Sequence, residues 1–125
     1  MEFPAQKLTS STPSISYQEK SSTIFIEGES YPENSFDFYS PLLKWIKHSL
    51  KEKKGIILDV NISYMNSSST KCVLDILDLL DEAFAAGIKT SVRWRYDQEN
   101  PRSLELAEEF KEELKLPFET IPLEI

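Results

Sequence analysis

Histidine, cysteine and glycine are nearly absent from this chain: its 125 residues include one histidine, one cysteine and three glycines. With Cys72 alone there is no internal disulfide and no cysteine-rich zinc site, and with His48 alone the usual nitrogen ligands are missing, so neither metal nor cofactor is expected. Three glycines supply no Gly-rich phosphate loop. Basic residues are outnumbered 21 to 14, which gives a formal net charge of −7 and a pI near 4.8. Nucleic-acid binding needs a basic stripe that releases counterions, so a protein partner is expected instead and no nucleic acid. No apolar run approaches the ~20 residues that span a bilayer, and Met1 to Lys7 has no signal-peptide core. A soluble, cytoplasmic protein without membrane contact is the expectation, and one cysteine suits that reducing compartment. The glycosylation patterns Asn61-Ile62-Ser63 and Asn66-Ser67-Ser68 matter only in a secreted chain and are set aside.

What is present suffices for one domain over residues 1–125: the sequence is 40% hydrophobic, and a chain of this size buries roughly two-thirds of its unfolded surface. Residues 1–13 are polar and Ser/Thr-rich and are expected to be loosely held. Ser14 to Tyr17 and Thr23 to Glu27 read as short strands of a hairpin, and Gly28 to Asn34 as a loop. Asn34 caps a helix with Asp37 in its first turn and an apolar stripe at Tyr39, Leu42, Leu43, Ile46 and Leu50. Pro41 is awkward inside it and is read as the first residue of a helix restarting after Ser40. Lys51 to Lys54 suits a helix end, closed by Gly55.

From Ile56 to Tyr64 apolar residues recur every second position, at Ile56, Leu58, Val60, Ile62 and Tyr64, the signature of a half-buried strand. After Lys71 the period changes to that of a core-facing helix, with Val73, Leu77, Leu80 and Phe84 on one side and an end at Gly87. Ile88 to Tyr96 alternates again, with Val92, Trp94 and Tyr96 opposite a wetter side of Lys89, Ser91, Arg93 and Arg95. A charged loop, Asp97 to Arg102, leads to an amphipathic helix, Ser103 to Lys115, and Pro117 precedes a last strand, Phe118 to Ile121. Strands alternating with crossover helices imply an α/β fold: a single two-layer domain whose mixed, mostly parallel sheet is extended by the N-terminal hairpin, with helices mainly on one face.

Between the third strand and the second helix stands Tyr64-Met65-Asn66-Ser67-Ser68-Ser69-Thr70-Lys71. Four consecutive hydroxyls occupy a strand-to-helix turn, where the first N–H groups of the helix point outward unpaired, so a hydroxyl there can cap the helix or carry phosphate. That makes Ser67 to Thr70 a candidate switch, against the plainer reading of a polar turn. Ser68-Ser69-Thr70-Lys71 also fits S-x-x-K, but the companion motifs of penicillin-binding enzymes are absent and no enzyme is expected. Glu27, Glu29 and Glu33 lack the partners of a metal or acid–base site and read as loop and cap carboxylates. His48 reads as a surface histidine. Asp75, Asp78 and Glu82 form a solvated stripe or, alternatively, a docking strip for a basic partner.

Gly28-Glu29-Ser30-Tyr31-Pro32-Glu33-Asn34 and Tyr64 to Lys71 together, with the Phe38-Tyr39 pair, Trp94 and Leu116-Pro117-Phe118, resemble the SiaC-like family of bacterial biofilm-regulation phosphoproteins, related in fold to STAS-domain anti-sigma factor antagonists. The resemblance runs from about Leu8 onward. It implies a STAS-like fold and a non-catalytic adaptor in a partner-switching pathway. In such systems a serine/threonine kinase phosphorylates one hydroxyl, a metal-dependent phosphatase removes the phosphate, and the dephosphorylated form activates a diguanylate cyclase, and the resemblance implies the same partners here. The family's acceptor follows the asparagine and is usually threonine; here that position is Ser67. Partner contacts are expected from Glu29, Tyr31, Pro32, Glu33, Asn34, Asn66, Ser68, Ser69 and Lys71, because loops at one end of parallel strands converge on the first turns of the helices. The loop Asp97-Gln98-Glu99-Asn100-Pro101-Arg102 departs from the family's continuous acidic run. A different class of function, a small-molecule-binding STAS-like module, is the alternative.

Overall fold

Five strands and three helices follow one another with hardly a detour, and the order of strands in the sheet is their order in sequence, β1-β2-β3-β4-β5. The computed structural model describes residues 1–124. β1 (Ser14–Gln18) and β2 (Thr23–Ser30) form the expected antiparallel hairpin around a single 3-10 turn, Glu19–Ser21. β3 (Ile56–Met65), β4 (Thr90–Tyr96) and β5 (Phe118–Pro122) then add in parallel. The crossovers are α1 (Ser35–Lys51), α2 (Ser67–Ala85) and α3 (Pro101–Glu113). Because each right-handed crossover moves one strand over in the same direction, the helices share one face of the sheet. α1 packs on α2, α2 on β3 and β4, and α3 on the last three strands.

The core is the sandwich between those layers. Ile24, Ile26, Leu58, Val60, Val92 and Trp94 project from the sheet to meet Tyr39, Leu42, Ile46, Val73, Ile76, Leu77 and Leu80. Alternate strand residues face the other way and are wetter: Phe25, Asn61, Ser91, Arg93 and Arg95 are half-buried, and Glu27 and Glu119 exposed. Asp59 breaks that pattern. Only 3% exposed, it accepts two hydrogen bonds from Arg95, at 2.9 and 3.0 Å, on the helix-free face. A buried carboxylate needs such a partner, and the fork geometry of arginine supplies it.

Several expectations are corrected. β2 continues to Ser30 instead of ending at Glu27, so Gly28 to Ser30 is strand and not loop. A bulge between Gly28 and Glu29 skips Ser63 in the register with β3, and Gly28 adopts φ +131°, with Leu8 and Pro13 close against its α-carbon. The bulge also turns Tyr64 outward to 55% exposure, removing it from the core face on which strict alternation had placed it. Pro41 does not restart a helix; α1 runs through it, and since Pro41 and Asp37 are both exposed, water can satisfy the carbonyl that loses its N–H partner. α2 buries Cys72, Ile76 and Ala83 and leaves Phe84 exposed. α3 begins at Pro101, two residues before the expected Ser103, and ends at Glu113.

Residues 1–13, expected to be loosely held, make specific contacts. Gln6 bridges Ile15, Phe3 stacks on Tyr17 and meets Trp45 edge-on, and the carbonyl of Ser11 accepts the N–H of Tyr31. At the other end of the chain Asp81 Oδ1 accepts the N–H groups of Lys115 and Leu116, fixing the approach to β5.

Candidate functional site

Every parallel strand hands over to its helix at the same end of the sheet, so the first turns of α1, α2 and α3 share that end. Their positive dipole ends are gathered in a protein of formal charge −7. β2 and β3 finish side by side: Ser30 pairs with Met65, and the N–H of Asn66 donates to the carbonyl of Ser30 at 3.0 Å. The two sequence motifs therefore adjoin.

Asn66 is the N-cap of α2. Its Oδ1 accepts the N–H of Ser69 at 2.9 Å and the hydroxyl of Ser68 at 3.2 Å, satisfying a first-turn N–H. Asn34 does the same for α1, accepting the N–H of Asp37 and donating through Nδ2 to its carboxylate. The asparagine side chains of both motifs thus hold the two helix starts in shape.

The four hydroxyls are not equivalent. Ser69 is 0% exposed and sits between Ser30, which donates to it at 2.8 Å, and Ser35 at 3.1 Å. Ser30 also meets Tyr39 Oη at 2.6 Å, and Ser35 meets Ser68 at 2.8 Å. One hydroxyl carries one proton, so the donor directions at Ser30 and Ser68 orient the rest. The series runs Tyr39 to Ser30 to Ser69 to Ser35 to Ser68 to Asn66 Oδ1, each member donating once. Among the described residues no buried side-chain polar atom lacks a partner. Thr70 is half-buried and donates to the carbonyl of Asn66. Ser67, the first residue of α2, is the exposed member of the four, and among the described residues its hydroxyl has no hydrogen-bond partner. Ser69, expected as a partner contact, is buried in this structure and supports the turn from beneath. Ser68 is half-buried and engaged on both sides.

Around Ser67 the surface is mixed. Glu29, Glu33, Asn34 and Lys71 are exposed and Pro32 half-buried. Tyr31, 41% exposed, meets Tyr64 edge-on with ring centroids 5.9 Å apart, so the two motifs share an aromatic patch as well as the backbone link. Tyr64 was absent from the expected contacts because alternation assigned it to the core. Phe36, 53% exposed in the first turn of α1, was also missed; its signal was an aromatic outside the buried stripe of that helix. On the other side of Ser67 lies a cleft of about 650 Å³ whose walls include Tyr64, Thr70, Arg102, Ser103 and Glu105. Asn100 spans its rim, donating from Nδ2 to the carbonyl of Ser63 at 3.2 Å.

Burial pushes the Tyr39 hydroxyl up to about 12, its bond to Ser30 opposing the shift, so it stays a donor at physiological pH. Burial also raises the Cys72 thiol, with Asp75 adding to it, which keeps the sulfur protonated and unreactive. Ser68 Oγ is engaged by Ser35 and Asn66, and no described hydrogen bond joins it to Lys71, so the S-x-x-K spacing is not a nucleophile and base in contact. No group of three or more metal-ligating side chains occurs among the described residues.

The family profile described as SiaC family regulatory phosphoprotein matches residues 6–123. An uncharacterized protein of Pseudomonas aeruginosa strain UCBPP-PA14 is 41% identical over 111 residues, 88% of each chain. The solved structure of SiaC of Pseudomonas aeruginosa superposes with a TM-score of 0.90 at 37% identity, covering 98% of this chain and all of that one (100%). A second structure shows SiaC, from the same organism, as the activator in complex with the diguanylate cyclase SiaD. It matches with a TM-score of 0.87 at 40% identity over 92% of this chain and 95% of that one.

Proposed function

This chain belongs to the SiaC family of regulatory phosphoproteins, and from that premise we propose that it is a non-catalytic adaptor switched by reversible phosphorylation of Ser67. Its dephosphorylated form binds and activates a protein effector of the diguanylate cyclase class, as SiaC does SiaD in the Pseudomonas complex. A serine/threonine kinase writes the mark and a metal-dependent phosphatase removes it. All of this takes place in the cytoplasm. The observation that carries the reading is the inequality of the four hydroxyls: Ser69 is buried, Ser68 and Thr70 are engaged, and Ser67 is exposed and unengaged among the described residues. A kinase must draw a hydroxyl into its own active site, and Ser67 can be reached without dismantling the turn.

The docking surface is the aromatic and polar patch beside it: Tyr31, Tyr64, Pro32, Glu29, Glu33, Asn34 and Lys71. A phosphate at Ser67 adds about −1.5 to −2 charge at its edge, which the start of α2 tolerates but an apolar or acidic partner face does not. Incubation with the cognate kinase followed by intact-mass and peptide mapping tests the assignment. One phosphate on the peptide bearing Ser67, with loss of effector binding, is the expected result; phosphate on Thr70 or Ser69 with Ser67 unmodified overturns it. The cleft next to Ser67 favours a second reading, a small-molecule-binding module. A thermal-shift screen decides between them, because a ligand of the cleft stabilises the native state by mass action whereas the adaptor responds only to its protein partners.

A further inference from the structure

Arg102 is the one cation among the residues lining the cleft beside Ser67, which otherwise holds two carboxylates, Glu105 and Glu109, and neutral side chains. Its guanidinium is exposed and has no ion-pair partner among the described residues; the ion pairs found there belong to His48, Arg93 and Arg95. It is the second residue of α3, where the helix dipole disfavours a cation, so neither the helix nor a local carboxylate accounts for its charge. Its position is fixed by neighbours: Pro101 opens the helix, Asn100 is tied to Ser63, and Ser103 Oγ accepts the indole N–H of Trp94 at 3.4 Å. This chain therefore presents a free arginine, on an anchored helix start, to the same cleft as the exposed hydroxyl of Ser67.

We propose that Arg102 is an intramolecular receiver for the phosphate on Ser67, binding its oxygens through the guanidinium fork and drawing the first turns of α3 and α2 together across the cleft. The proposal rests on the reading of Ser67 as the phosphorylated residue. The phosphorylated state is then a different shape as well as a different charge. With Glu105 and Glu109 in the same cleft, a phosphate lacking Arg102 keeps the start of α2 and the exposed Lys71 as favourable neighbours but meets only carboxylates among the charged side chains of the cleft. Arg102 decides whether the dianion is welcome.

The test uses the full chain with phosphoserine installed at position 67 during translation, so that no kinase is needed, and follows the phosphorus resonance with pH. A nearby cation favours the dianion and lowers the second phosphate pKa, while neighbouring carboxylates raise it. The wild-type protein should titrate below the ordinary value of about 6. Arg102→Gln should titrate about one unit or more higher, and Arg102→Lys should fall between. The unmodified Arg102→Gln protein should melt with the wild type, since the exposed guanidinium has no ion-pair partner among the described residues to lose. Equal phosphate pKa values in wild type and Arg102→Gln overturn the proposal, as does a wild-type value at or above 6. Failure of the Ser67 assignment is read elsewhere: a kinase that modifies another residue shows it in the peptide map and leaves the titration standing.

Discussion

Ser30 and Ser69, 39 residues apart in sequence, are joined by a 2.8 Å hydrogen bond between side chains that are both 0% exposed. That bond ties the end of β2 to the first turn of α2, and Tyr39 and Ser35 extend it into α1. Removing a member strands its neighbours in a place water does not reach. Ser69→Ala should therefore destabilise the fold by about 1–3 kcal/mol in chemical denaturation, whereas Ser67→Ala, two residues away and solvated, should stay within about 0.5 kcal/mol. Equal effects would show that the network carries no stability.

Ser67→Asp should abolish or strongly weaken effector binding with an unshifted melting temperature, and Ser67→Ala should keep binding and lose regulation by the kinase. A carboxylate in the first turn of a helix is well placed for the dipole, so the fold has no cause to fail. Calorimetric titration against the effector, beside a melting curve, separates the two effects. Tight binding by Ser67→Asp would sink the switch.

Tyr39 supplies an alkaline signature. Burial lifts its hydroxyl to about 12 from 10.0, and its ionisation would also force Ser30 to turn round and abandon Ser69. A raised folded-state value means that the neutral form is favoured by folding, so this contribution is full below pH 10 and disappears as the pH climbs toward 12. Ultraviolet titration should show one of the five tyrosines ionising late, and Tyr39→Phe should remove that late step.

The connection after α1 assigns its tight backbone to an unexpected residue. Lys53, not Gly55, takes the left-handed conformation, at φ 61°. Gly55 is needed for space: a β-carbon there would lie 2.7 Å from the carbonyl oxygen of Lys89. Lys53→Gly should cost little or stabilise by up to about 1 kcal/mol. Gly55→Ala should destabilise by about 1 kcal/mol or more, since the clash is with backbone. The reverse order in urea titrations would refute this account.

Periodicity made the architecture legible: alternation marked β3 and β4, a change of period marked α2, and the Asn34 cap marked the start of α1, whereas α2 starts at Ser67, inside the hydroxyl run read as a turn. What escaped were features that join distant positions or break a period. Asp59 and Arg95 lie on the polar side of neighbouring strands, and nothing in either segment alone announces their pairing. Tyr64 continued an unbroken alternation in sequence, yet the bulge opposite Gly28 turned it out to meet Tyr31. Within the hydroxyl run, Ser67 and Ser69 are the same residue type; only the rotation of about 100° per residue around a helix sends one outward and one inward. Pro41 was given too much weight as a breaker, since a solvated face absorbs the loss of one hydrogen bond.

The order of strands has a kinetic meaning. Since every strand pairs with its predecessor, the sheet can grow edge by edge as the chain leaves the ribosome, N-terminal part first. The elements that hold the hydroxyl series, β2 through α2, are all synthesised before β4, α3 and β5, whereas the wall that carries Arg102 arrives later. A nascent chain thus gains its hydroxyl turn before the cleft beside it is closed in, and a truncated chain ending after α2 would present β3 as an open edge, a template for association with other chains.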